Sequence, residues 1–149
     1  MKQQKIIIIC LTTITVLTIL AVVAIKSVGI GSRIALPSAE NVVAIEMYQN
    51  ESWTNQTGLI RITEQRDIDA IIAALFTARQ TSFSWYSAAN EAPSQSNYLT
   101  VSVYTGEDTI FKTLHLYGGE TVYAVYTGIY RMNKLEYEEI QSIYTALTI

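Results

Sequence analysis

The sequence predicts an α+β fold, in which an antiparallel β-sheet of about five strands carries two helices on one face, preceded by an N-terminal transmembrane helix. Three observations support this prediction: a charge-free apolar run at residues 6–25, segments in which apolar and polar residues alternate, and two segments with helical apolar spacing. The expected divisions are residues 1–26 as a transmembrane anchor or signal segment, 27–40 as a tether and 41–149 as an extracytoplasmic α+β domain.

The N-terminal apolar run has the length of a membrane span. As a helix, residues 6–25 would be about 30 Å long, which matches the hydrocarbon core of a bilayer. A basic start followed by an apolar run is also typical of a cleaved secretory signal, so both a single-pass membrane protein and a secreted one are open. Lipid attachment at Cys10 is disfavoured because Ile9 stands where a small residue is expected. Lys2 and Lys5 favour a cytoplasmic N-terminus, which places the domain outside the cytoplasm.

Strand patterns begin after the tether. Apolar Val43, Ile45 and Met47 alternate with Ala44, Glu46 and Tyr48. In a strand the two sets would point to opposite faces, so this pattern predicts a half-buried strand. A polar loop at residues 50–58 leads to a second short strand at 59–62. Later strands are predicted at residues 98–104, 109–117 and 121–127, with the option of a short edge strand at 129–132.

Two helices complete the predicted domain. Thr63 is the expected N-cap of the first, and Asp67 lies in its first turn, where negative charge is favourable. Its apolar stripe comprises Ile68, Ile71, Ile72, Leu75 and Phe76. Asn133 and Glu136 have capping-box spacing and predict the start of the final helix. The apolar positions of that helix are Tyr137, Ile140, Ile143, Tyr144 and Leu147.

Composition restricts the function. After residue 26 the chain has seven basic and thirteen acidic residues, a net charge of −6, which argues against binding to nucleic acid or anionic lipid. His115 is the only histidine, and no neighbour in sequence has metal-ligand or nucleophile spacing. The sequence therefore predicts no catalytic residue, metal site or cofactor, and no enzyme. An envelope enzyme whose carboxylates are assembled only by the fold is the alternative.

Aromatic residues are the main candidates for recognition. The chain has ten tyrosines and two tryptophans. Phe83, Trp85 and Tyr86 lie in a long polar loop, and Trp53 lies in the first loop, so these four are the predicted binding residues. Packing of the same aromatics against the core is the alternative. If the apolar residues of the central strands face the helices, the opposite face carries Tyr98, Thr100, Ser102, Tyr104, Thr113, His115 and Tyr117.

Several segments resemble a known family. They read LPSAENVVAIE, ITEQRDIDAIIAAL, NYLTVSVY, TLHLYGG and YTGIYRMNKLEYEEIQSIY, and together they cover residues 36–147. The chain resembles a family of small extracytoplasmic domains of unknown function from Gram-positive bacteria, found behind an N-terminal membrane or lipoprotein signal. This resemblance implies a fold and a location but no site residue.

The predicted function follows from the anchor and the aromatic residues. We expect a membrane-anchored binding or protein-interaction module of the cell envelope, attached through residues 6–25. The expected partner is an envelope or secreted protein, a peptide or a glycan, and not a nucleic acid. A structural accessory subunit of an envelope complex is a further alternative, which differs only in having a constitutive partner.

Overall fold

The computed structural model describes residues 2–27, 31–52, 55–81 and 97–148. Within these ranges there are three α-helices, which are α1 (Lys2–Ser27), α2 (Gln65–Phe76) and α3 (Lys134–Thr148). Seven strands form one sheet: β1 (Ala44–Ser52), β2 (Asn55–Ile62), β3 (Arg79–Gln80), β4 (Tyr98–Gly106), β5 (Thr109–Tyr117), β6 (Thr121–Ala124) and β7 (Gly128–Arg131). The predicted α+β class is confirmed.

The strand order in the sheet is β2-β1-β4-β5-β6-β7-β3, and all neighbouring strands are antiparallel. Strands β4 to β7 form the meander that the sequence predicts, because each follows its neighbour through a short turn. The chain departs from this simple order at β3, which lies at the far edge of the sheet beside β7. It then returns to the centre of the sheet at β4.

The hydrophobic core lies between one face of the sheet and the helices α2 and α3. On the sheet side, Ile45, Met47, Leu99, Val101 and Leu114 are fully buried, because alternate residues of each strand point to the same face. The helices contribute buried Ile68, Ile71, Ile72, Leu75, Ile140 and Tyr144. Ile34, in the segment assigned to the tether, also belongs to the core and is 1% exposed. Each such side chain stabilises the fold by about 1.5–3 kcal/mol.

The sheet has two more strands than predicted. One is β7, which overlaps the optional edge strand at residues 129–132. The other is β3, whose two residues lie where the sequence shows the end of a helix and an irregular stretch. A strand of two residues has no periodicity to detect, and it is defined by its pairing with Arg131 and Tyr130. The prediction of about five strands was therefore wrong at an edge of the sheet.

The first hairpin is also longer than predicted. Residues 50–52 belong to β1 and residues 55–58 belong to β2, although the polar sequence predicts a loop. Gln49 pairs with Thr57 and Asn50 with Gln56. Most of this part of β2 is solvent-exposed, so it can form a strand without apolar side chains. Polar composition at this position therefore does not indicate a loop.

The ends of the two domain helices differ in how well they were predicted. Thr63 is not the N-cap of α2, since Glu64 holds that position and makes no side-chain capping bond. For α3, the Asn133 carbonyl accepts a hydrogen bond from the Tyr137 amide at 3.1 Å, and Asn133 Nδ2 lies 3.4 Å from Glu136 Oε1. The predicted pair therefore meets at the start of α3, through its side chains.

The apolar N-terminal run lies in α1, a single helix of 26 residues. In the part of the chain that the structure describes, no helix is both long enough and apolar enough to cross a membrane. Anchoring through residues 6–25 stays a prediction.

Candidate functional site

The face of the sheet opposite the helices is polar and aromatic. In the register of β4 and β5, Thr100 pairs with His115 and Ser102 with Thr113, so their side chains share this face. Strand β1 and strand β6 extend it on either side. We call it the tyrosine face and define it by Tyr48, Asn50, Tyr98, Thr100, Ser102, Tyr104, Thr113, His115, Tyr117 and Tyr123.

His115 lies at the centre of the tyrosine face between two aromatic rings. The ring of Tyr98 meets it edge-on, with centroids 5.0 Å apart and an interplanar angle of 78°. The ring of Tyr123 is stacked with it at 6.0 Å and 10°. Burial lowers the pKa of His115 to about 4, so the imidazole is neutral at pH 7. A neutral ring stacked with tyrosine is a rigid apolar surface with a polar edge.

A chain of hydrogen bonds connects His115 to the neighbouring strands. Thr100 Oγ1 is 3.0 Å from His115 Nδ1 and accepts a hydrogen bond of 2.7 Å from Asn50 Nδ2. Thr100 is completely buried and therefore needs an acceptor for its hydroxyl hydrogen, which the imidazole Nδ1 provides. This assigns the ring proton to Nε2, because a neutral imidazole has one donor and one acceptor nitrogen. Asn50 Nδ2 also lies 3.4 Å from the Tyr98 carbonyl oxygen.

An ion pair supports the tyrosine face at the opposite end of β1. Arg61 Nη1 lies 2.6 Å from Glu46 Oε1, and the Tyr104 hydroxyl donates a hydrogen bond of 2.7 Å to Glu46 Oε2. The Arg61 guanidinium carbon also lies 4.8 Å from the centroid of the Tyr104 ring, and its Nη2 donates to the Glu107 carbonyl. The Tyr104 hydrogen bond, followed by Arg61, holds the pKa of Glu46 below its usual value. The two carboxylate oxygens of Glu46 are thus bound by Arg61 and Tyr104.

Other tyrosines of this face have shifted acidities. Burial, together with the nearby Tyr48, raises the pKa of Tyr98. Burial and the nearby Tyr123 likewise raise the pKa of Tyr117. Their hydroxyl groups therefore stay protonated at neutral pH. Tyr98 and Tyr123 are buried, whereas Tyr48, Tyr104 and Tyr117 are half-buried at the rim.

The structure does not describe the positions of the four binding residues predicted from sequence. Trp53, Phe83, Trp85 and Tyr86 lie outside the described residues. The structure instead adds three residues to the tyrosine face, Tyr48, Asn50 and Tyr123, which the alternation along β4 and β5 does not identify. The polar sequence predicts a loop at Asn50, and the strand patterns of Tyr48 and Tyr123 do not show which central residues lie beside them. Continuing the alternation of Glu46 and Tyr48 along β1 identifies Asn50, and the pairing of β5 with β6 identifies Tyr123.

The described part of the chain contains no cluster of side chains that commonly bind metal ions. Within residues 2–27, 31–52, 55–81 and 97–148, no three His, Cys, Asp or Glu side chains are close enough to hold a metal ion. The tyrosine face instead offers ring surfaces, hydroxyl groups and a neutral imidazole. These groups suit the recognition of a ligand by contact and hydrogen bonding.

One family model matches the chain. It is DUF5301, described as a domain of unknown function (DUF5300), and it covers residues 30–131. The chain belongs to the DUF5301 family. The DUF5301 region contains the entire sheet and α2, and with them all residues of the tyrosine face, whereas α1 and α3 lie outside it. No curated protein and no solved structure is significantly similar to the chain.

The DUF5301 match confirms the resemblance to a family of unknown function. The matched region ends at residue 131, whereas the likeness seen in the sequence extends through α3 to residue 147. The Gram-positive and extracytoplasmic setting inferred from that likeness stays a prediction.

Proposed function

We propose that this chain is a binding module of the cell envelope, held at the membrane by residues 6–25, with its DUF5301 domain outside the cytoplasm. The observation that carries the proposal is the tyrosine face, in which five tyrosines surround or flank a neutral His115 on one side of the sheet. The proposed activity is recognition rather than catalysis.

The tyrosine face has the properties of a preorganised recognition surface. Beneath the half-buried rim tyrosines, Asn50, Thr100 and His115 form a continuous hydrogen-bond chain across three strands. A surface whose groups are already held in place loses little conformational entropy when it binds. Tyrosine also supplies a large contact area with only two side-chain torsions and a polar tip.

The charge of the domain limits the class of ligand. The chain after residue 26 has a net charge of −6, and the tyrosine face carries no basic side chain among its defining residues. Polyanions would be repelled, so peptides, proteins and neutral glycans are the proposed ligands. Phe83, Trp85, Tyr86 and Trp53 remain candidate binding residues. Three of them belong to residues 82–96, which lie outside the described part of the chain.

The proposed anchor is supported by the sequence and by the exposure of α1. Residues 6–25 contain no charged side chain. On the described part of α1 the large apolar residues are solvent-exposed, including Leu11, Ile14, Leu17 and Leu20 at 58–62%. A helix with exposed apolar residues on all sides is expected to be covered by lipid or by protein.

The proposal is tested by screening the full chain in detergent against arrays of envelope glycans and of peptides. The same arrays are probed with a variant carrying Tyr48→Ala and Tyr117→Ala at the rim of the face. A ligand of this surface should bind the parent protein and lose roughly tenfold or more in affinity to the variant, since aromatic anchors dominate most interfaces.

Leu135→Ala is the matched control. Leu135 is 78% exposed and lies at the start of α3, away from the tyrosine face, so this variant should bind as the parent does. All three proteins must first show the same circular dichroism spectrum. A recognition role for this face would be contradicted if the parent and both variants bound a ligand equally well. It would also be contradicted if the parent protein bound nothing on either array.

A further inference from the structure

One end of the sheet carries a cluster of exposed apolar side chains outside the tyrosine face. Ile110 and Phe111, at the start of β5, are 52% and 46% exposed, and Tyr126, in the turn between β6 and β7, is 73% exposed. The three border one shallow depression that also includes Lys112, Val125 and Thr127, together with Thr113 at the edge of the tyrosine face. We call Ile110, Phe111 and Tyr126 the tip patch. Exposed apolar residues gathered at one place usually mark an interaction site.

Tyr126 is held in an unfavourable backbone conformation. Its φ is +62°, in the left-handed region that glycine and asparagine adopt readily and aromatic residues rarely do. The conformation costs free energy, and because the ring is 73% exposed, burial of the ring within the domain does not offset the cost. Backbone strain of this kind is common where a residue serves a function outside its own packing.

The turn that presents Tyr126 is fixed to the rest of the sheet. Lys112 Nζ donates a hydrogen bond of 2.9 Å to Thr127 Oγ1, and the Thr127 amide donates to the Ala124 carbonyl at 2.9 Å. Gln80 Nε2 lies 3.5 Å from the Thr127 carbonyl oxygen and connects the turn to β3. The tip patch is therefore a rigid feature of the sheet.

The chain enters the domain at this same end of the sheet. The Gly31 amide donates to the Gln80 carbonyl at 2.8 Å, and Arg33 bridges to Arg79, so the segment runs from the Thr127 side of β3 towards the opposite end. Helix α1 ends at Ser27. Four Cα steps separate Ser27 from Gly31 and span at most about 15 Å. The C-terminal end of α1 therefore lies within this distance of the edge that holds the tip-patch turn.

We propose that the tip patch rests on the lipid surface from which residues 6–25 emerge, with Tyr126, Phe111 and Ile110 in the interfacial layer of the bilayer. This inference rests on the proposed membrane anchor. Aromatic rings favour the interface because their apolar body and their polar edge are both accommodated there. Glu107 and Asp108 lie in the adjoining turn and would be repelled by anionic headgroups, so the contact is apolar and suits zwitterionic lipid.

The proposal sets the orientation of the domain. The strands would point away from the membrane, because the tip patch lies at one end of β5, β6 and β7. The tyrosine face would then be turned sideways, with its half-buried rim tyrosines Tyr48 and Tyr117 directed along the membrane surface and not towards it.

The test places a single tryptophan at the tip patch and measures its depth in the membrane. In the full chain with Trp53→Phe and Trp85→Phe, Tyr126→Trp is compared with Leu135→Trp, a control 78% exposed at the other end of the sheet. Both proteins are reconstituted in phosphatidylcholine liposomes, with and without lipids brominated near the glycerol end of the acyl chain. Interfacial insertion of about 5–10 Å should lower the fluorescence of residue 126 roughly twofold and leave residue 135 unchanged.

Flotation of the liposomes separates the two hypotheses. If the protein does not float with lipid, the anchor and the tip contact are both overturned. If it floats and both positions are quenched equally or not at all, the anchor stands and the tip contact is overturned. Should the tryptophan-free background fail to fold, Tyr126→Cys and Leu135→Cys in a Cys10→Ser background, labelled with an environment-sensitive dye, give the same comparison.

Discussion

Thr100 and His115 lie directly opposite each other on β4 and β5, and the Thr100 hydroxyl oxygen is 3.0 Å from the imidazole Nδ1. The threonine is completely buried, and burial keeps the histidine neutral. The only histidine of the chain is thus an acceptor within a hydrogen-bond chain that begins at Asn50. Protonation of His115 at Nδ1 would remove this acceptor, so the hydrogen bonds of the tyrosine face depend on pH.

His115 should make the domain less stable in mild acid. Its pKa is about 4 in the folded protein and about 6.5 in an unfolded chain, so the unfolded state binds the proton more readily. Stability is therefore fully present above about pH 6.5 and falls by about 2 to 3 kcal/mol as the pH drops to 4. Denaturant unfolding of the full chain in detergent at several pH values measures this dependence.

His115→Asn is the control for that prediction, because its side-chain oxygen takes the place of Nδ1 as an acceptor and does not titrate. Carboxyl groups titrate in both proteins, so the difference between the two curves reports His115. Parallel curves between pH 6.5 and 4 would show that the folded state does not disfavour imidazolium.

Gly58→Ala should destabilise the domain through Tyr144. Gly58 has a φ of +64°, and a Cβ there would overlap the Tyr144 hydroxyl, which donates to the carbonyls of Thr57 and Gly58 at 3.1 and 2.9 Å. We expect a loss of about 2 kcal/mol or more from strain and overlap together. Thermal and chemical unfolding measure it.

Gly118 is a matched control for Gly58. It has a φ of +63°, but nothing lies within 4 Å of its added Cβ, so Gly118→Ala pays for the backbone conformation alone. Gly58→Ala should therefore be the more destabilising of the two. Adding Tyr144→Phe to Gly58→Ala removes the overlapping oxygen, so the two effects should be less than additive. Strict additivity would mean that the hydroxyl is not the obstacle.

Tyr104→Phe should raise the pKa of Glu46. The Tyr104 hydroxyl is the largest influence that lowers this pKa, followed by Arg61 once burial is set aside. Losing the hydrogen bond should also cost about 1 kcal/mol at neutral pH. Because the pKa of Glu46 is lowered in the folded state, its contribution to stability is present above about pH 4.5 and is lost on acidification. Carboxyl-carbon NMR measures the pKa directly.

Tyr48→Phe controls for removing a hydroxyl from the same face. Tyr48 lies on the same face as Glu46, two residues further along β1, but it is not among the groups that shift the pKa of Glu46. The pKa of Glu46 should stay unchanged in this variant. A shift of equal size in both variants would point to a general change in the sheet.

Tyr126→Asn should stabilise the protein in detergent by about 1 kcal/mol, because asparagine tolerates the left-handed conformation better than an aromatic residue. The chain already uses asparagine at such a position, at Asn97, where φ is +70°. Tyr126→Phe, which keeps the ring, should have no comparable effect. A loss of stability in Tyr126→Asn would show that the exposed ring contributes to packing in the folded domain.

The α-helix α2 shows what sequence periodicity predicts well. Ile68, Ile71, Ile72 and Leu75 recur at helical spacing, and all four are buried against the sheet. The expected N-cap is Thr63, whereas Glu64 holds that position and the helix begins at Gln65. Apolar spacing determines which face of the helix is buried. The first residue of the helix depends instead on where the preceding strand ends, which the spacing does not show.

The strand β3 and the first hairpin show where that reasoning fails. Arg79 and Gln80 form a strand because β7 and residues 31–33 lie beside them, and neither neighbour is local in sequence. In the first hairpin, polar residues pair at a solvent-exposed edge, where no apolar pattern is required. Pairing of backbone groups between distant segments leaves no periodic signal in the side chains.

The candidate site was predicted in part. Alternation along β4 and β5 correctly grouped Thr100, Ser102, Thr113 and His115 on one face. Tyr48, Asn50 and Tyr123 belong to the same face because of the order of β1, β4, β5 and β6 in the sheet, which the sequence does not show. The binding residues predicted in the loops, Trp53 and Trp85 among them, are still predictions.

The α+β class, the buried face of α2 and the alternation of the central strands can be read from the sequence alone, because they follow from the periodic repeat of side chains along each element. The face of α3 follows only in part, since Ile140 and Tyr144 are buried but Leu147 is exposed. The contact of Thr100 with His115 and the entry of the chain into the sheet beside the Tyr126 turn become visible only in the folded sheet. Those contacts depend on strand order and register, which are set by the packing of the whole sheet and not by any one segment.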